Sequence, residues 1–192
     1  KIAQIVGALP AGDVSMATDE GQTTTVACGK AFFRIVGLDP KEFPKDTGFA
    51  EEWSFVLAGA DLRKSLSKVS YSTSEDETRH VLNGILMSVR QGMMTVAATD
   101  GRRLALVERH LTGEGIPDGD VILPAKVVAE LGRMLEGEGD VTIRLSDARA
   151  AFEFGPTLLV SKLVEGTYPN YRQVVPAAFA HSVAIPRIAL AE

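Results

Sequence analysis

Two stretches of this chain, more than a hundred residues apart, repeat one another, and the repeat restricts the fold to duplicated domains. Asp13-Val14-Ser15-Met16 leads through a polar turn to Cys28-Gly29, an apolar strand pattern, and Leu38-Asp39-Pro40-Lys41-Glu42-Phe43-Pro44. Asp140-Val141-Thr142-Ile143 leads in the same order to Phe154-Gly155, another apolar strand, and Leu163-Val164-Glu165-Gly166-Thr167-Tyr168-Pro169. The spacing between equivalents falls from 127 (Asp13 to Asp140) to 126 (Gly29 to Gly155) to 125 (Pro44 to Pro169), one residue at each of two turns. A weaker echo at 128 relates Phe55-Val56-Leu57-Ala58-Gly59-Ala60-Asp61-Leu62 to Val183-Ala184-Ile185-Pro186-Arg187-Ile188-Ala189-Leu190. A period of this size marks whole domains rather than a solenoid of short units. The chain therefore reads as the tail of one unit, all of a second and the start of a third, a fragment whose complete unit is long enough to bury its own core.

Within the first unit, residues 13 to 18, 23 to 28 and 31 to 37 alternate between Gly and Asp turn signals, the pattern of a β meander, and 44 to 52 reads as a linker. In the complete unit Leu62, Leu66 and Val69 form the apolar stripe of a helix over 61 to 70, with Lys64 and Lys68 on another face. Strands are expected at 80 to 89, 93 to 98 and 103 to 109, the last two joined by a turn at Thr99-Asp100-Gly101-Arg102. A Gly-, Pro- and Asp-rich loop, 112 to 120, leads to a second helix with Pro124 in its first turn and Val128, Leu131 and Leu135 inward. Strands follow at 140 to 145, 150 to 155 and 158 to 163. Helix, strands, helix, strands is an α+β pattern with antiparallel sheet, and its two halves hint at a pseudo-twofold.

The composition argues against several classes of function. A net charge of −5 does not describe a simple nucleic-acid binder, although it is silent about local fields. One cysteine, Cys28, leaves no internal disulfide and no thiolate cage, which fits a reducing cytoplasm; it reads as a small buried residue rather than a reactive thiol. His80, His110 and His181 are too scattered for zinc, so neither a metal nor another cofactor is expected, and no run is long enough for a membrane span.

Three segments carry a family resemblance: Arg79-His80-Val81-Leu82-Asn83-Gly84-Ile85-Leu86, Ala98-Thr99-Asp100-Gly101-Arg102-Arg103-Leu104-Ala105, and Ser161-Lys162-Leu163-Val164-Glu165-Gly166-Thr167-Tyr168-Pro169-Asn170-Tyr171. Together they resemble the bacterial replicative sliding clamps, the beta subunits of DNA polymerase III. The resemblance implies a DNA-clamp fold of repeated domains, each with two helices packed on antiparallel sheet. Residues 1–50 would close a first domain, 52–178 form the middle domain, and 181–192 open a third. Two such three-domain chains would close as a homodimer around double-stranded DNA, without sequence preference, in the cytoplasm.

The same resemblance implies three sets of site residues. Helices lining the hole would present Arg63, Lys64 and Lys68, against Asp61, and Lys126 and Arg133, against Glu130 and Glu136, giving a local +2 and a neutral balance. The competing reading is that these are ordinary solvated faces. A pocket for clamp-binding peptides of polymerases, clamp loader and repair factors would be built from Leu82, Thr99, Gly101, Arg102, Arg103, Leu104, Pro169, Gln173 and Val174. There the arginines would hold polar or carboxylate groups against apolar walls. Taken alone, Thr99-Asp100-Gly101 is an ordinary turn, and Leu82 and Leu104 ordinary core. Lys1, Ile5 and Leu9 match the dimer-contact helix, or else pack on their own sheet. Gln173 stands where relatives often carry a basic residue, and Glu75-Asp76-Glu77 is acidic where relatives can touch DNA.

An enzyme would need chemistry the chain does not display. Asp100 with Asp147, or His80 with Glu77, are conceivable acid pairs, but no nucleophile elbow, phosphate loop or metal-ligand spacing accompanies them. No catalysis is expected, and the remaining alternative is a stand-alone peptide-binding module of the same fold.

Overall fold

Cys28-Gly29-Lys30-Ala31 and Phe154-Gly155-Pro156-Thr157 close two hairpins of one design, as the repeat requires. In each the flanking residues pair, Cys28 with Ala31 and Phe154 with Thr157, leaving two central residues. The first is a glycine at φ +54 in one and +51 in the other. A two-residue hairpin that opens on a positive φ favours glycine there, because it has no Cβ to clash. The computed structural model describes residues 2–43, 51–113, 115–135 and 139–191, in two compact units, 1–48 and 49–192.

The first unit holds helix α1 (Ile2–Gly7) and a meander of β1 (Ser15–Thr18), β2 (Thr23–Cys28) and β3 (Ala31–Val36), in the order β1-β2-β3. Among its described residues Val26 and Cys28 are buried, and the Cys28 thiol donates to the Pro10 carbonyl at 3.4 Å. Ile5 lies half-buried on α1, whereas Leu9 falls beyond the helix end, in a turn where its N–H donates to the Val6 carbonyl. The expected alignment of three residues on one helix face thus does not hold for Leu9, and Lys1 lies outside the described residues.

The second unit runs through strand, helix and three-strand meander twice. The first half is β4 (Trp53–Ala58), α2 (Gly59–Val69), β5 (Gly84–Arg90), β6 (Met93–Thr99) and β7 (Leu104–His110). The second is β8 (Gly119–Pro124), α3 (Ala125–Met134), β9 (Asp140–Leu145), β10 (Arg149–Phe154) and β11 (Thr157–Lys162). The halves exchange their first strands: β8 pairs with β5 and β4 with β9, giving antiparallel sheets β7-β6-β5-β8 and β11-β10-β9-β4. Neither β4 nor β8 was expected, and residues 80 to 83 form part of a 3-10 turn (Glu77–Asn83) rather than a strand. Pro124 ends β8 at the helix N-cap instead of lying in the first turn. A short helix, α4 (Arg187–Ala191), follows later in the chain.

Side-chain alternation along the strands divides the sheet β7-β6-β5-β8 between two cores. Ile85, Met87, Val89, Met94, Val96, Ala98, Val121 and Leu123 face a main core, shared with the second sheet and the inner stripes of both helices. Those stripes are Leu62, Leu66 and Val69 of α2, and Val128 and Leu131 of α3 with Leu135 at its C-cap. Leu86, Ala97 and Ile122 face outward into a second cluster with Leu82, Tyr168 and Tyr171. A sheet covered on both faces needs apolar residues on both, which explains the continuously buried run of β5 from Gly84 to Val89.

Candidate nucleic-acid face and partner pocket

Helices α2 and α3 lie side by side and antiparallel, with Arg63 near the start of α2 donating from Nε to the Gly132 carbonyl near the end of α3 at 2.9 Å. Because both bury one stripe in the same core, their remaining faces are left to solvent. Arg63, Lys64, Lys68, Lys126 and Arg133 are all exposed. Arg133 is engaged with Glu130 at 2.6 Å, while Lys64, Lys68 and Lys126 form no ion pair among the described residues. Asp61, the one acid of α2, is drawn to Arg109 of β7 at 2.9 Å. Arg63, Lys64 and Lys68 against Asp61 give α2 a net +2; Lys126 and Arg133 against Glu130 give α3 a net +1. Glu136, which entered the expected neutral balance, lies outside the described residues. Helix α2 is thus basic on a chain of net charge −5.

The expected pocket residues come from three segments that meet around the outer cluster. The 3-10 turn 77–83 supplies Leu82, which is buried in the outer cluster and lines neither of the hollows that flank this junction. The tip of the β6–β7 hairpin supplies Thr99 to Leu104, with Leu104 packed on the cluster and Gly101 at φ +88. The segment after β11 supplies Pro169 beside Tyr168, then Gln173 in a 3-10 turn (Tyr171–Gln173), and Val174, which is 70% exposed. Hollows flank this junction. One of about 520 Å³ is bordered by Gly101, Arg102, Arg103 and residues 73 to 76; another, of about 840 Å³, runs past Leu86, Ile122, Tyr168, Pro169 and Tyr171. Arg102 and Arg103 therefore border a different hollow from Pro169.

The hairpin tip is held by its own acid. The Asp100 carboxylate accepts from the Arg102 and Arg103 N–H groups at 2.9 and 3.0 Å and from Arg103 Nε at 2.9 Å. The backbone N–H bonds from Arg103 and Arg102 lead in holding its pKa down to about 2, and the Arg103 guanidinium adds to them. A depressed folded-state pKa means a contribution that is complete above the ordinary value of 3.8 and lost as pH falls through about 2. The Arg102 and Arg103 amide resonances are accordingly expected to titrate together with a midpoint of about 2, and a midpoint at 3.8 would show a free carboxylate.

Two residues at this junction escaped the sequence reading. Arg79 packs so near Gly101 that an added Cβ there would stand 3.1 Å from its Nη1, and it borders the same hollow as Arg103. Tyr168 accepts a hydrogen bond from the Thr99 N–H at 3.0 Å. Burial pushes the Tyr168 phenol up, so it stays protonated. The run Arg79 to Leu86 contained the first signal, but the second depends on a bond spanning 69 residues. Of the other expected features, Asp76 caps the turn 77–83 by accepting from Thr78, whose side-chain and backbone bonds lower its pKa.

Two helices and a strand-exchanged pair of antiparallel sheets around one core make up a fold that solved sliding clamps share, the DNA-clamp class. The comparisons narrow the class. The family model for the DNA polymerase III beta subunit, central domain, matches residues 56–170, more than half of the chain. The chain belongs to the beta sliding clamp family. It is 33% identical over 172 residues to the beta sliding clamp of Chlamydia muridarum, covering 90% of this chain and 47% of that one. With the Escherichia coli K12 clamp it shares 30% over 177 residues, covering 92% and 48%. The Bartonella birtlesii sliding clamp, solved bound to griselimycin, superposes with a TM-score of 0.80 at 34% identity, covering 92% of this chain and 49% of that one. The chain spans about half the length of the curated relatives it matches. These relatives are named as clamps and not as enzymes, in accord with the expectation of no intrinsic catalysis.

Proposed function

We propose that residues 1–192 are part of a replicative sliding clamp that encircles duplex DNA and tethers its partners. On this reading 1–50 end a first domain, 52–178 are the middle domain and 181–192 begin a third, and two three-domain chains close head to tail in the cytoplasm. Ile5, Leu9 and Lys1 would belong to the ring-closing contact. The observation that carries the reading is the pair of antiparallel helices with five exposed basic side chains, Arg63, Lys64, Lys68, Lys126 and Arg133, on an otherwise acidic chain. A lining of this kind attracts phosphates without reading bases. Topology rather than tight binding would then hold the ring, leaving it free to slide.

The partner site would be the junction of Leu82, Thr99, Gly101, Arg102, Arg103, Leu104, Pro169, Gln173 and Val174, joined by Arg79. Apolar side chains of a peptide would rest on the Leu82–Leu104 cluster while the guanidiniums take its polar or carboxylate groups. Griselimycin, bound in the Bartonella clamp, would occupy the same junction. The ring is tested by loading the full-length protein on circular DNA. It is expected to stay on through gel filtration and to leave once the circle is cut by a restriction enzyme. Retention on the linear product would overturn the encirclement.

A further inference from the structure

The hairpin tip that carries Gly101 to Leu104 is locked within itself. Thr99 Oγ1 donates to the Arg103 carbonyl at 2.7 Å and accepts from the Gly101 N–H at 3.1 Å, in addition to the bonds to Asp100. Such a tip moves as one piece, so the shape of the junction beside it depends on what fastens that piece. The β5–β6 ladder does not, because it ends at the Leu86–Ala97 pair, two residues short of Thr99. The Thr99 N–H is met instead by the hydroxyl of Tyr168, a residue 8% exposed in the outer cluster.

The segment carrying Tyr168 is itself seated firmly. The Val164 N–H donates to the Ile122 carbonyl of β8 at 2.9 Å. Gly166, at φ +124, lies so close to the 77–83 turn that a Cβ would come 2.8 Å from Val81 Cγ1. Tyr168 therefore links a fixed segment to a rigid tip by one directional bond.

We propose that the Tyr168 hydroxyl is a positioning group for partner binding: by holding the Thr99 N–H it sets the distance between the hairpin tip and the Pro169–Val174 wall, without itself touching the bound molecule. This rests on the pocket reading above. Removing the hydroxyl leaves the ring in place but orphans a part-buried donor, which must turn to water or to a shifted partner. The ligand must then restore the spacing on binding, and affinity falls for want of preorganisation.

The test compares the full-length wild type with Tyr168→Phe and Leu82→Ala. Hydrogen exchange is read at the Thr99 amide without ligand, and griselimycin affinity by calorimetry. Tyr168→Phe is expected to speed Thr99 exchange by about tenfold while the Ala97 amide keeps its protection, and to weaken griselimycin by about fivefold, the low end of the cost of an orphaned donor. Leu82→Ala is expected to weaken griselimycin with Thr99 exchange unchanged. Unaltered Thr99 exchange in Tyr168→Phe would overturn the joint. Unaltered affinity in that variant, where Leu82→Ala weakens binding, would overturn its positioning role. A wild type that takes no griselimycin would overturn the pocket reading and the binding role together, and the ligand-free exchange would still show whether the joint exists.

Discussion

Phe152→Ala is expected to destabilise the second unit by about 3–5 kcal/mol, the range for emptying a fully buried aromatic site. Phe152 is wholly inaccessible, lies on β10 between β9 and β11, and pairs with Ile143 on one side and Leu159 on the other. Its ring belongs to the core shared by both sheets and both helices, so no single element can relax to fill the space. The measurement is urea unfolding followed by Trp53, the one tryptophan of the chain, which stacks on Phe55 at 5.9 Å in the same unit. The midpoint should fall with an unchanged m-value. A loss below about 1 kcal/mol would mean that the core collapses around the missing ring.

The combined substitution Lys64→Glu, Lys68→Glu and Lys126→Glu carries the second large effect, on DNA and not on folding. These side chains are exposed and make no ion pair among the described residues, so their reversal leaves the packed stripes of α2 and α3 untouched. Each lost phosphate contact removes about 0.9 from the slope of log affinity against log salt on duplex DNA. Two such chains close the proposed ring, so the triple variant of the full-length protein should show a slope shallower by up to about 5, and weaker retention on circles at low salt, with unfolding unchanged. An unaltered slope would assign these lysines to an ordinary solvated face.

Both helices were legible because their apolar residues recur at helical spacing, and most of the meanders because alternation is a local signal. The two strands that enter the helices were not. Gly119-Asp120-Val121-Ile122-Leu123-Pro124 has a short apolar centre between turn-forming residues, and what makes it a strand is its ladder with Gly84–Val89. In β4, Phe55 and Leu57 are buried and Val56 and Ala58 exposed, yet its partner β9 lies more than 80 residues away. The 3-10 turn over 80–83 went unrecognised because Val81 and Leu82 pack on an outer cluster that only the returning segment 164–171 creates. At the proposed partner site, the residues came from the sequence resemblance. It could not reveal that Leu82 is buried, that Arg79 leans on Gly101, or that Tyr168 is bonded to Thr99.

The exchange of β4 and β8 also governs the order in which this unit can be made. As the chain is synthesised, β5, β6 and β7 can form a meander by short-range pairing, but the outer side of β5 stays an open edge until β8 arrives. Strand β4 waits longer, since its partner emerges only after α3, and closing so large a loop costs entropy that the pairing returns late. Until then, two unpaired strand edges and the bare inner faces of both sheets are available to other nascent chains. The same interlocking leaves the finished unit with no half that can detach alone.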